Sequence, residues 1–108
     1  MADCIFCKIA QHQNPADIVY EDKQIIVFKD IKPSAPIHLL ITSKKHISSI
    51  NHLKKQDAEL ISHMIFVAQK IAKAQGIAKK GYKLLFNVGR GGGQLIDHLH
   101  LHLMGGGE

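Results

Sequence analysis

The chain reads as an α+β domain, a five-stranded antiparallel sheet with one long helix inserted. Three observations predict it. Short apolar runs recur at 18–21, 24–28, 38–42 and 83–87, and a strictly alternating run occupies 97–104. A single longer stretch, from about 56 to 75, switches to helical periodicity. Most connections between these segments are short, as antiparallel neighbours require. At 108 residues the chain, 1–108, is one domain, large enough for a core and small enough to gain from dimerisation.

Cys4 and Cys7 form a C-x-x-C beside Ile5, Phe6 and Ile9, and Gln11 to Pro15 reads as a turn. On its own the pair admits zinc, a disulfide or two reduced thiols, since a structural zinc site needs two further ligands. Ile18 to Glu21 and Gln24 to Phe28 read as strands joined by a tight hairpin at Asp22-Lys23. Asp30 to Pro36 is a proline-punctuated loop, and His38 to Thr42 is the third strand. In the helix, Leu60, Ile61, Met64, Ile65, Ala68, Ile71 and Ala72 make one broad apolar stripe, with Gly76 as its stop. His63, beside that stripe, reads as packed or surface, and the cluster Met64, Ile65 and Phe66 as core or interface. Lys83 to Asn87 is the fourth strand.

The fifth strand carries the chemistry. In Asp97-His98-Leu99-His100-Leu101-His102-Leu103-Met104, alternation places three imidazoles on one face and three leucines on the other. Neighbouring histidines then lie roughly 6.5–7 Å apart, two strand rises. Three same-face positions on one straight strand converge poorly on a single ion, which favours phosphate chemistry over a triad-bound metal. Just upstream, the Asn87 to Gln94 segment holds Gly89, Gly91, Gly92 and Gly93, a turn able to approach an anion closely.

The formal charge of +5 is spread over lysines such as Lys44-Lys45, Lys54-Lys55 and Lys79-Lys80 and reads mainly as a solvated surface. The aromatics do not interleave with these clusters, which argues against nucleic acid as the main partner. No apolar run approaches a membrane span, and Met1-Ala2-Asp3-Cys4 does not begin a signal sequence, so a cytoplasmic protein is expected.

The His-x-His-x-His run after Asn87, Gly89 and Gly93-Gln94 closely resembles the histidine-triad nucleotide-binding proteins, in particular their small phosphoramidase branch. The resemblance extends to Cys4-Ile5-Phe6-Cys7-Lys8-Ile9, Phe28-Lys29-Asp30-Ile31, Ala35-Pro36-Ile37-His38 and Lys44-Lys45-His46. It implies the histidine-triad fold, with a short N-terminal helix added to the long one. It implies that His100 attacks the α-phosphorus of a nucleoside phosphoramidate or ester and that a nucleotidyl-histidine is then hydrolysed. His102 would bind phosphate oxygens and help proton transfer, His38 would orient His100 or relay its proton, and His98 would support the row. Ile5, Phe6, Ile9, Phe28 and Ile31 would line a purine slot, Asp30 would hold the ribose, and Asn87 and Gly93 would meet the phosphate.

The same resemblance implies a structural zinc on Cys4, Cys7, His46 and His98, and a homodimer in which the long helix and fourth strand pair across a twofold axis. Two readings stand beside the phosphoramidase: a dinucleoside polyphosphate hydrolase, and a purine-nucleotide sensor with little turnover. The sensor reading draws on Leu95, which stands where many relatives carry a hydroxyl. Arg90, the lone arginine, lies in the glycine loop, where it is solvated or meets an acidic leaving group.

Overall fold

A computed structural model describes residues 4–107. A short helix α1 (Ile5–Ala10) precedes strands β1 (Ile18–Glu21), β2 (Ile25–Lys29) and β3 (Ile37–Ser43). The long helix α2 (Ala58–Ala74) follows, then β4 (Tyr82–Leu85) and β5 (His100–Gly105). The five strands form the one antiparallel sheet that the periodicity predicts, in the order β1-β2-β3-β5-β4. Among the described residues, no helix is long and apolar enough to cross a membrane.

Both faces of the sheet are apolar, because side chains alternate and each face has its own helix. Ile25, Val27, Leu39, Ile41, Leu101 and Leu103 pack on α2 through Leu60, Met64, Val67, Ala68, Ile71 and Ala72. Met64 is wholly buried there; its truncation to alanine costs about 2–5 kcal/mol. On the opposite face, Ile26, Phe28 and Leu40 meet Phe6 and Ile9 of α1. Phe6 stands edge-on to Phe28, with ring centroids 5.3 Å apart. The leucines of β5 face α2, and His100 and His102 share the α1 face with His38.

The helical stripe differs from expectation in two places. Ile65 is 44% exposed, and Val67 takes a buried position instead. Phe66, 62% exposed, extends this uncovered apolar face of α2. Strand β4 forms one edge of the sheet, with Leu84 also partly exposed.

His63 belongs to a clasp between α2 and the β1–β2 hairpin. Its Nε2 lies 2.7 Å from Asp22 Oδ2, which also accepts the Tyr20 hydroxyl at 2.8 Å. Asp22 Oδ1 accepts the backbone N–H groups of Gln24 and Ile25, closing the turn. Burial acts to raise the Asp22 carboxyl, but these donors outweigh it and hold it down at about 2.

Candidate active site and metal centre

Strand β5 begins at His100, two residues later than the histidine row suggests. The last register pair between β3 and β5 is Thr42 with His100. Upstream of it the chain leaves the ladder, with Leu99 donating to Ile47 O at 2.7 Å. The row is therefore divided. His100 and His102 line a cavity, whereas His98 is completely buried and turned toward the cysteines.

The hydrogen bonds of each imidazole fix its tautomer. His100 Nδ1 lies 2.6 Å from the His98 carbonyl. A carbonyl only accepts, so Nδ1 carries the proton and Nε2 keeps its lone pair. Burial pushes His100 below the ordinary imidazole range, with the His98 carbonyl and the Asp30 charge opposing it. It is therefore neutral at neutral pH, the state a nucleophile requires.

His38, expected to orient His100 or relay its proton, has His102 as its hydrogen-bond partner: His38 Nε2 lies 2.9 Å from His102 Nδ1. Ser34 N–H donates to His38 Nδ1 at 2.9 Å, so in the neutral ring the proton sits on Nε2 and is given to His102. His102 then carries its own proton on Nε2. Burial, followed by the neighbouring His100 and His38, pushes His102 down to about 4.

The cavity encloses about 420 Å³. Ile5, Phe6, Ile9 and Phe28 line one part of it, together with Pro15, Ala16, Leu40 and Ile96. His38, His100, His102, Asp30, Ser34 and Gly93 line the polar part, and Ile31 and Leu95 project at the mouth. An apolar slot opening onto imidazoles suits a planar ring joined to an anion. Asn87 is not part of this lining; its Nδ2 donates to Gly92 O at 2.7 Å and braces the glycine turn. Gly93, at φ +86°, lies in the left-handed region that favours glycine.

Gln94 holds that turn in place. Its side chain accepts from Gly89 N–H at 2.9 Å and donates to the carbonyls of Ser48 and Ile96 at 2.7 and 2.9 Å. Arg90 makes a two-pronged pair with Asp97, at 2.9 and 3.1 Å, and donates to Gln94 O. It thus braces the loop. The sequence pattern shows Gln94 and Ser34 only as members of a motif and a loop: Ser34 acts through its backbone N–H, which residue type does not mark, and the tie from Gln94 to Ser48 spans 46 positions.

Cys4, Cys7, His46 and His98 converge, with one ligand atom from each, all within 4.8 Å of one another. Cys4 Sγ lies 3.2 Å from His98 Nδ1, Cys7 Sγ 3.2 Å from His46 Nδ1, and Cys7 Sγ 3.5 Å from His98 Nδ1. Zinc bonds of about 2.3 Å to sulfur and 2.0–2.1 Å to nitrogen give tetrahedral edges of roughly 3.5 Å, so the set fits. His98 Nε2 donates to Ser43 O at 2.6 Å, which leaves Nδ1 bare toward the sulfurs. Burial, then the hydrogen bond and charge of Cys4, push the Cys7 thiol up to about 11, a penalty that a bound cation reverses. Asp30, His38 and His102 form a second close group. There the Ser34 N–H occupies His38 Nδ1 and places the proton on Nε2, so that ring has no lone pair to offer a metal.

Residues 3–107 match the family described as scavenger mRNA decapping enzyme C-term binding. The chain belongs to this histidine-triad (HIT) family. It is 48% identical over 105 residues to protein HitA of Neisseria gonorrhoeae, covering 97% of each chain. It is 43% identical over 104 residues to the purine nucleoside phosphoramidase of Escherichia coli K12, covering 96% of this chain and 87% of that one. A HIT family hydrolase from Legionella pneumophila superposes with a TM-score of 0.96 at 52% identity, covering 98% of this chain and 95% of the other. A zinc-bound histidine triad family protein from Mycobacterium smegmatis superposes with a TM-score of 0.84 at 29% identity, covering 95% and 74%.

Proposed function

We propose that this protein is a purine nucleoside phosphoramidase that hydrolyses nucleoside 5′-monophosphoramidates through a nucleotidyl-histidine on His100. The observation that carries the reading is the His100 tautomer: Nδ1–H bound to the His98 carbonyl, and Nε2 bare in a cavity-lining ring. In the first step Nε2 attacks phosphorus and the P–N bond breaks. In the second, water displaces His100 from phosphorus and releases the nucleoside monophosphate. In this reading His102 donates from Nε2–H to the transferring group and Asp30 holds the ribose, and both line the cavity. Ile5, Phe6, Ile9 and Phe28, with Ile31 at the rim, take the base. The likeness to a purine nucleoside phosphoramidase supports this substrate class.

Cys4, Cys7, His46 and His98 hold a structural zinc in this reading, supported by the donor geometry and the zinc-bound relative. The ion would tie α1, and with it the base slot, to the segment preceding β5. His98 then serves catalysis through its carbonyl rather than its ring. The exposed face of α2 with the β4 edge is the surface on which two copies would pair into one continuous sheet. Reduced thiols of this kind belong to the cytoplasm.

Leu95 favours one second reading, a purine-nucleotide sensor. It is 81% exposed at the cavity mouth and cannot donate to a phosphate or departing nitrogen. AMP release from adenosine 5′-phosphoramidate by wild type and His100→Ala decides between them. Turnover lost in His100→Ala supports the enzyme; nucleotide binding without wild-type turnover supports the sensor.

A further inference from the structure

The polar end of the cavity contains a proton-counting problem. His38 Nε2, His102 Nδ1 and Asp30 Oδ2 form a triangle, with 2.9 Å between the two nitrogens and 3.4 Å between His38 Nε2 and the carboxylate. Since Ser34 N–H occupies His38 Nδ1, the neutral triangle holds one proton, on His38 Nε2. If a neutral His102 gave its Nε2 proton to a leaving amine, the ring would be left as an anion. To finish neutral, His102 must begin with a second proton, on Nδ1. That proton faces the His38 N–H, and the only group in the triangle that purely accepts is the Asp30 carboxylate.

Asp30 is held in place to do this. Its Oδ1 accepts Lys32 N–H at 2.9 Å, and its own N–H donates to His38 O at 3.0 Å. The free oxygen therefore stays on the triangle. We propose that Asp30, besides holding the ribose, is a positioning charge that lets the His38–His102 pair carry the extra proton of a general acid. The inference rests on the nucleotidyl-histidine reading. Burial first, then His100 and His38, disfavour the charged form of His102 and hold the resting ring at about 4; Asp30 is the neighbour that favours that form.

His100 Nε2 forms the bond to phosphorus, the P–N bond breaks, and its electron pair goes to the leaving nitrogen. That nitrogen takes the Nε2 proton of His102, which becomes neutral with its proton on Nδ1. In hydrolysis, water gives hydroxide to phosphorus and a proton to His102 Nε2, and the electron pair returns to His100.

The test compares kcat on two substrates for wild type, Asp30→Asn and Asp30→Glu. Adenosine 5′-phosphoramidate needs a proton on its leaving group; adenosine 5′-(4-nitrophenyl phosphate) expels a stable anion and does not. In Asp30→Asn, kcat on the phosphoramidate should fall at least about tenfold further than on the nitrophenyl ester. Asp30→Glu, which keeps the charge, should recover most of that difference. Equal losses on both substrates, or a loss confined to KM, would leave Asp30 a ribose contact and overturn the inference. A wild type inactive on both substrates would overturn the reaction itself, and this inference with it.

Discussion

Cys7→Ser is the perturbation that tests whether the proposed zinc supports the proposed base slot. Helix α1 has six residues, too few to persist alone, yet it supplies Ile5, Phe6 and Ile9 to the cavity. Its anchors are the packing of Phe6 and Ile9, the Cys4 sulfur capping Cys7 N–H at 3.3 Å, and the convergence of Cys4 and Cys7 on His46 and His98. Cys7 lies within 3.5 Å of both His46 and His98, so its sulfur is the hub of that cluster. A ligand present a thousandfold above its Kd stabilises a fold by about 4.1 kcal/mol. Near this chain length each kcal/mol shifts the midpoint by about 4–8 °C. Wild type should therefore carry about one zinc per chain, and chelation should lower Tm by more than about 15 °C. Cys7→Ser should lack the metal, show no chelator effect, and bind AMP more weakly. Metal analysis by inductively coupled plasma, thermal melts and calorimetric titration with AMP read these three results. A wild type purified without chelator that holds no zinc, or a melt that chelator does not move, would refute the reasoning.

Leu95→Ser should raise phosphoramidase turnover about two- to tenfold, the yield of one added hydrogen bond, read as AMP release; an unchanged or lower rate with the fold intact contradicts it. Phe66→Glu places a charge on the exposed α2 face and should turn a dimer into a monomer in analytical ultracentrifugation, whereas an unchanged mass rejects that surface. His102, at about 4, titrates well below an ordinary imidazole. The unfolded chain therefore takes up this proton first, so its contribution is intact above about pH 6.5 and is lost as pH falls toward 4. Urea midpoints should decline across that window, and less steeply in His102→Gln.

The sheet and its histidines were legible because alternation is a local signal. Leu101 and Leu103 go to the α2 core, while His100 and His102 face the cavity, as two-residue periodicity requires. What spacing could not show was set by distant partners. The departure of His98 from the strand follows from where β3 stops pairing with β5, at Thr42. The choice of His102 over His100 as the partner of His38 depends on Ser34 fixing that ring. Helical periodicity put Ile65 in the buried stripe, but the sheet reaches only part of α2 and covers Val67 instead. The residue types for zinc were readable through the resemblance; that their four donor atoms converge is a property of the fold.

The central claim is that His100 performs the displacement. The direct measurement is single-turnover reaction of adenosine 5′-phosphoramidate, labelled in the adenosine, with wild type and His100→Ala. Wild type should release AMP and pass through protein-bound label, and His100→Ala should lose at least about a thousandfold in rate and carry no label. Undiminished AMP release by a folded His100→Ala would place the chemistry elsewhere and contradict the account.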